Sequence, residues 1–187
     1  MKQESLSRYI LRITLVLLTI AVVVAGLLAV VNQLTAPVIA QSTQEKTQAA
    51  IRQVLPGGYE TEITDFPDKT GLVSKVYQGK NGYALEVNPA GFDSAISMMV
   101  GIDNEGKVLG IAIISHTESA GLGAVAAADT QKGQSFRQQF VGTTGSVSVS
   151  KDGGEIDAIT NATITSRAVC NGVNAALACA AELGGAK

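Results

Sequence analysis

Nineteen consecutive residues without a charge, Ile13 to Val31, constrain this chain more than any other feature. At about 1.5 Å rise per residue they span about 28 Å as a helix, close to the hydrocarbon thickness of a bilayer. The run reads as a membrane span, with 13–34 as the anchor. Lys2, Arg8 and Arg12 precede it and the first charge after it is Glu45. The positive-inside rule then puts residues 1–12 in the cytoplasm and everything from about Ala36 onward on the other side of the membrane. A cleaved signal peptide is the competing reading, with Val38-Ile39-Ala40 as the site, although its apolar core would be only ~7–15 residues long. A pilin-like assembly helix is a third option, but no acidic residue interrupts the run to register neighbouring protomers.

The 187-residue chain leaves room, after the anchor, for one full-sized domain. Residues 35–58 read as a helical stalk, with Val38, Ile39, Ala50, Ile51, Val54 and Leu55 apolar and Pro56-Gly57-Gly58 ending it. Residues 59–187 form the extracytoplasmic domain. Strands are predicted over Leu72–Tyr77, Tyr83–Val87, Ala95–Ile102 and Val108–Ser115, separated by Lys80-Asn81-Gly82, Pro89-Ala90-Gly91 and Asn104-Glu105-Gly106. A short helix over Gln134–Phe140 and a strand over Ser146–Ser150 follow. The fold class is α+β: an antiparallel sheet flanked by helices, preceded by one N-terminal transmembrane helix.

The formal charge is −2 overall, with +2 on residues 1–12 and −4 on the rest, so no basic patch suggests nucleic acid. Cys170 and Cys179 are nine apart on the predicted last helix. That spacing puts them on opposite faces and about 13 Å apart along the axis, beyond the reach of a disulfide. With one His and no paired Cys, neither a metal site nor an iron–sulfur cluster can be read, and redox chemistry would have to come from a bound cofactor.

The segment Asp157-Ala158-Ile159-Thr160-Asn161-Ala162-Thr163-Ile164-Thr165-Ser166 sets a threonine where a loop passes into a helix. The helix is predicted from Val169, Val173, Ala176, Leu177 and Ala180, which recur at three- and four-residue steps. Thr163 falls at its first turn, where unpaired N–H groups and the helix dipole favour a phosphate, and the hydroxyls of Thr160, Thr165 and Ser166 could add hydrogen bonds. Two plainer readings stand beside this one. Asn161-Ala162-Thr163 is an N-glycosylation sequon, and Thr and Asn before an apolar helix often serve only as an N-cap.

The segment resembles a flavinylation motif, Asp-x-x-(Ser/Thr)-Gly-Ala-Thr-x-(Ser/Thr). That motif belongs to the FMN-binding domain in the G subunit of Rnf-type ferredoxin:NAD oxidoreductases and in the C subunit of sodium-pumping quinone reductases. Asp157, Thr160, Ala162, Thr163 and Thr165 match. Asn161 stands where the family has Gly, and Asn tolerates left-handed backbone angles better than other non-glycine residues. A second stretch, His116-Thr117-Glu118-Ser119-Ala120-Gly121-Leu122-Gly123, is similar to the family's His-x-Glu-Thr-Pro-Gly-Leu-Gly, with Ser119 and Ala120 replacing Thr-Pro.

The resemblance implies FMN held covalently through a phosphoester to Thr163. Gly121 and Gly123 would let backbone approach a flat ring, Leu122 would lie against its face, and Glu118 would accept hydrogen bonds from ring or ribityl donors. Asp157 is either part of the signature read by the attaching enzyme or a loop-ordering side chain, and His116 is either a neighbour of the ring or a polar strand end. A flavin transferase would move FMN from FAD onto Thr163. The partners implied are the bilayer, a flavin-bearing membrane protein and iron–sulfur proteins, in a complex coupling ferredoxin:NAD electron transfer to sodium or proton translocation. Two alternatives stay open: a membrane-tethered flavin reductase or sensor domain outside such a complex, and a non-redox glycosylated ectodomain.

Overall fold

The computed structural model describes residues 6–184. Lys2, one of the three basic residues behind the expected orientation, lies outside the described residues. The chain divides into two compact units, Met1–Gln44 and Glu45–Lys187. The first is the start of α1 (Leu6–Val54), which contains Pro37 within it. Its large apolar side chains from Tyr9 to Ile39 are exposed, and its mean hydropathy reaches 2.9. This is one helix long and apolar enough to cross a membrane.

The second unit is built on a five-stranded antiparallel sheet in which each strand pairs with the next in the chain. Its strands are β1 (Thr61–Ile63), β2 (Val73–Gly79), β3 (Gly82–Val87), β4 (Ser97–Asp103) and β5 (Val108–Ser115). Neighbouring residues of a strand point to opposite faces, and here both faces are covered. Val76, Leu85 and Met98 join a core with α2 (Gln131–Gln138) and α3 (Thr163–Gly184), through Phe136, Phe140, Val169 and Val173. Tyr77, Ala84 and Met99 belong to a second core on the other face, with Ala50, Ile51, Val54 and Leu55 from the end of α1. The strands therefore carry apolar residues on both faces, which a strict in–out alternation would not give.

Glycine makes the close approach of α1 to the sheet possible: a Cβ on Gly101 would run into the Val54 carbonyl. Residues 45–55, expected within a stalk, thus supply one lid of the globular core. Phe136 and Phe140 meet edge to face, with centroids 5.4 Å apart.

The four predicted strands are present with shifted ends. Ala95 lies outside β4, in an isolated bridge to Ala90. The Asp103–Val108 hairpin is closed by Asp103, whose Oδ1 accepts the N–H groups of Glu105 and Lys107 at 2.9 and 2.8 Å. Two expectations are corrected. Ser146–Ser150 is not a strand: Val147 exchanges both backbone bonds with the Asn174 side chain, at 2.8 and 2.9 Å, and Val149 makes only an isolated parallel bridge to Ile156. The helix expected at Gln134–Phe140 begins at Gln131, capped by Thr130, because Gly133 marks tight packing on the Val125 and Ala128 carbonyls and not a break. The three-residue edge strand β1 was too short and polar to be read. Cys170 and Cys179 are both free and buried, since α3 is enclosed over most of its girth. Burial, then the charge of Asp152 or Asp68 respectively, pushes each thiol up to about 11.

Candidate functional site

The chain after Ile159 turns back on itself to begin α3. Ala162 N–H donates to the Ile159 carbonyl at 2.9 Å, which closes a turn over Thr160 and Asn161. Asn161 has φ +62°, the one non-glycine positive φ among the described residues. Asn161 thus meets a left-handed backbone demand that, glycine apart, Asn tolerates best. The first backbone bond of α3 runs from Ser166 N–H to the Ala162 carbonyl at 3.0 Å. The N–H groups of Thr163, Ile164 and Thr165 therefore have no acceptor within the helix.

Ser166 is fully buried and its hydroxyl is spent on this turn, donating to the Ala162 carbonyl at 2.9 Å and accepting from Ile159 N–H at 3.0 Å. Glu118, also buried, acts as a junction. Its Oε1 accepts Phe92 N–H at 2.8 Å and its Oε2 accepts the Thr165 hydroxyl. The end of β5, the loop before β4 and the start of α3 are tied through this one carboxylate. Gly91 and Gly123 leave it room, because a Cβ on either would collide with it. Gly121 has φ +76°, a backbone that L side chains rarely adopt.

A cavity of about 360 Å³ opens where these segments meet. Three exposed apolar side chains line it, Phe92, Leu122 and Ile164, at 66%, 41% and 49% exposure. At the start of α3, Lys151 Nζ donates to Thr163 Oγ1 at 3.2 Å. The neighbouring Asp152 is gripped by Arg167 through Nε and Nη2 at 2.7 and 2.6 Å. Hydrogen bonding from that guanidinium holds the Asp152 carboxyl below its ordinary 3.8.

Of the residues singled out in the sequence, Glu118, Leu122, Gly123, Asn161, Ala162, Thr163 and Thr165 line this cavity together, while Gly121, Asp157, Thr160 and Ser166 do not. Thr160 and Asp157 are exposed, and the Asp157 backbone is held by the Gln139 side chain at 2.7 and 3.2 Å. Thr165 lines the cavity with its hydroxyl already committed to Glu118. His116 lies just past β5 and is not part of the lining; its buried Nδ1 has no hydrogen-bond partner. Phe92, Lys151 and Ile164 were not foreseen. Ile164 had a signal, since it stands out of phase with the stripe of Val169 and Val173. Lys151 had none, because its partner lies twelve residues on.

A cavity whose lining combines three exposed apolar side chains, a cation and the first turn of a helix defines a class: a ligand-binding α+β domain, on a chain with one membrane-length apolar helix among the described residues. Comparison with known proteins gives that class a family. The FMN-binding domain family matches residues 91–178 and the RnfG N-terminal region matches residues 1–54. The G subunit of the Na(+)-translocating ferredoxin:NAD(+) oxidoreductase complex of Acetobacterium woodii is 32% identical over 188 residues, covering 89% of this chain and 89% of that one. Its counterpart in the ion-translocating oxidoreductase complex of Pseudomonas aeruginosa is 31% identical, covering 91% and 88% respectively. That of Shewanella piezotolerans is 34% identical over 177 residues, covering 83% and 82%. The chain belongs to the RnfG family, the G subunits of Rnf-type ion-translocating oxidoreductase complexes.

Proposed function

We propose that this protein is the electron-transferring RnfG component of a membrane complex that couples ferredoxin:NAD electron transfer to sodium or proton translocation, and that it holds FMN through a phosphoester on Thr163. The observation that carries the reading is the convergence at Thr163: its hydroxyl stands at the mouth of an apolar-walled cavity, beside three free N–H groups and a lysine. The residues fit the cofactor. Free N–H groups at the start of α3 and Lys151 suit the phosphate, and Phe92, Leu122 and Ile164 suit the ring.

Bound FMN would supply the capacity to take and give electrons singly. The protein's own part is to hold and to shield. Phe92, Leu122 and Ile164 would exclude water from the ring faces, and Gly123 would admit the backbone close to them. Glu118 would keep the loop bearing Phe92 fixed on α3. With its oxygens already bonded to protein, its contribution to the flavin is through position first.

Arg8 and Arg12 before the apolar run, with no basic residue after it until Lys46, support residues 1–12 in the cytoplasm, 13–34 as the span and the globular unit outside. A cofactor facing that compartment gains from a covalent tether, since a dissociated molecule would be lost. The partners in this reading are a flavin-bearing membrane protein and iron–sulfur proteins of the same complex, and a flavin transferase for maturation.

The test is Thr163→Ala in full-length protein co-produced with the transferase. Covalent flavin fluorescence in a denaturing gel should vanish while the protein stays in the membrane. Fluorescence persisting in the variant, or a glycan on Asn161 in place of flavin on the Thr163 peptide by mass spectrometry, refutes the reading.

A further inference from the structure

Lys151 lies outside both sequence motifs, yet its Nζ reaches Thr163 Oγ1. The backbone that bears it is a 3₁₀ turn, Ser150–Asp152, closed by Gly153 at φ +84°. Arg167, one helical turn beyond Thr163, binds both oxygens of Asp152 and so ties that turn to the helix bearing the threonine. Two charged residues line the cavity, Glu118 and Lys151. Glu118 would repel a phosphate, and its oxygens are engaged by Phe92 N–H and the Thr165 hydroxyl. Lys151 is the cation of the lining, and it sits at the one hydroxyl where a phosphate would be attached.

We infer that Lys151 is a positioning residue for flavin attachment, aimed by the Asp152–Arg167 pair to bind the phosphate as it is joined to Thr163. This rests on the reading of Thr163 as the attachment site. In the joining step the bond from Thr163 Oγ1 to phosphorus forms and the bond from phosphorus to the bridging oxygen of flavin adenine dinucleotide breaks. Adenosine monophosphate leaves with that electron pair, and the hydroxyl proton passes to a base of the attaching enzyme. Lys151 donates at Oγ1 and does not take that proton. It offsets the negative charge crowding the hydroxyl, and afterwards pairs with the single charge left on the diester.

The experiment measures the initial rate of covalent flavin incorporation into the full-length protein by the transferase with flavin adenine dinucleotide. Wild type, K151M, K151R and T163A are compared, with melting temperatures of the unloaded proteins taken alongside. K151M should load about tenfold more slowly at an unchanged melting temperature, the size expected for one lost charge-assisted hydrogen bond at an accessible site. K151R, which keeps the charge, should come within about threefold of wild type. Loading of K151M at the wild-type rate, or of K151R as slowly as K151M, overturns the role of Lys151 and leaves Thr163 as the attachment site. Flavin on T163A overturns both.

Discussion

Shortening the chain at two different points separates the membrane helix from the part of α1 that the globular unit needs. A fragment beginning at residue 45 keeps Ile51, Val54 and Leu55, each buried to 1% exposure or less against the sheet. A fragment beginning at residue 59 loses all three. Burying one such side chain contributes about 1.5–3 kcal/mol, so the three together amount to about 5–9 kcal/mol. Whole domains are stable by only about 5–15 kcal/mol. The shorter fragment also bares Tyr77, Ala84, Met99, Ala112 and Ile114, a continuous apolar face prone to self-association. Size-exclusion chromatography and far-UV circular dichroism melts should find residues 45–187 monodisperse with a cooperative transition, and residues 59–187 aggregated or without one. A monomeric 59–187 fragment melting within about 5 °C of the longer one would show that the end of α1 is dispensable to the core, and the reasoning would fail.

Removing the Glu118 carboxylate leaves Phe92 N–H and the Thr165 hydroxyl without their acceptor, and Glu118→Ala should cost about 2–4 kcal/mol. Glu118→Gln keeps an acceptor for Phe92 and should cost less; an Ala variant melting within about 2 °C of wild type would refute the junction. At Asn161, Ala should lower stability by about 1 kcal/mol in urea titrations because of the left-handed backbone. Gly should stay within about 0.5 kcal/mol, relief of strain being offset by a freer unfolded chain; equal stability of all three would count against strain there. In acid, Asp68 is the group to watch. Burial raises its pKa, but the Thr70 hydroxyl and the N–H groups of Val73, Thr70 and Gly71 outweigh that and hold it below the ordinary 3.8. Its stabilisation is therefore present above about pH 4 and lost as pH falls through the lower folded value. Asp68→Asn should flatten the stability slope in melts below about pH 4, and an unchanged slope would exclude this carboxylate as its source.

Local chemistry explains what was legible in the sequence. The anchor, the four longer strands and the start of α3 all carry their signal within a few residues: an uncharged run, apolar stretches between Gly turns, a helical stripe after a Thr/Asn cluster. Thr163 and Glu118 could be singled out because each stands in a motif. What stayed hidden depends on residues distant in the chain. Val147 looks like a strand residue because it is apolar and β-branched, but its bonding partner is a side chain 27 residues on. The end of α1 looks like a stalk until Gly101 and the sheet face are in place to receive it. The hydroxyls of Thr165 and Ser166 look available for a phosphate until their buried acceptors are known.

Every strand bonds to its immediate predecessor or successor in the chain, so the sheet can be laid down one hairpin at a time as the polypeptide emerges, with only short loops to close. Thr163 arrives last of the pieces that matter, on the final helix. A nascent chain halted before α3 would hold all five strands and still lack the cavity wall that Thr163, Ile164 and Thr165 supply, so the site closes only after the sheet is laid down.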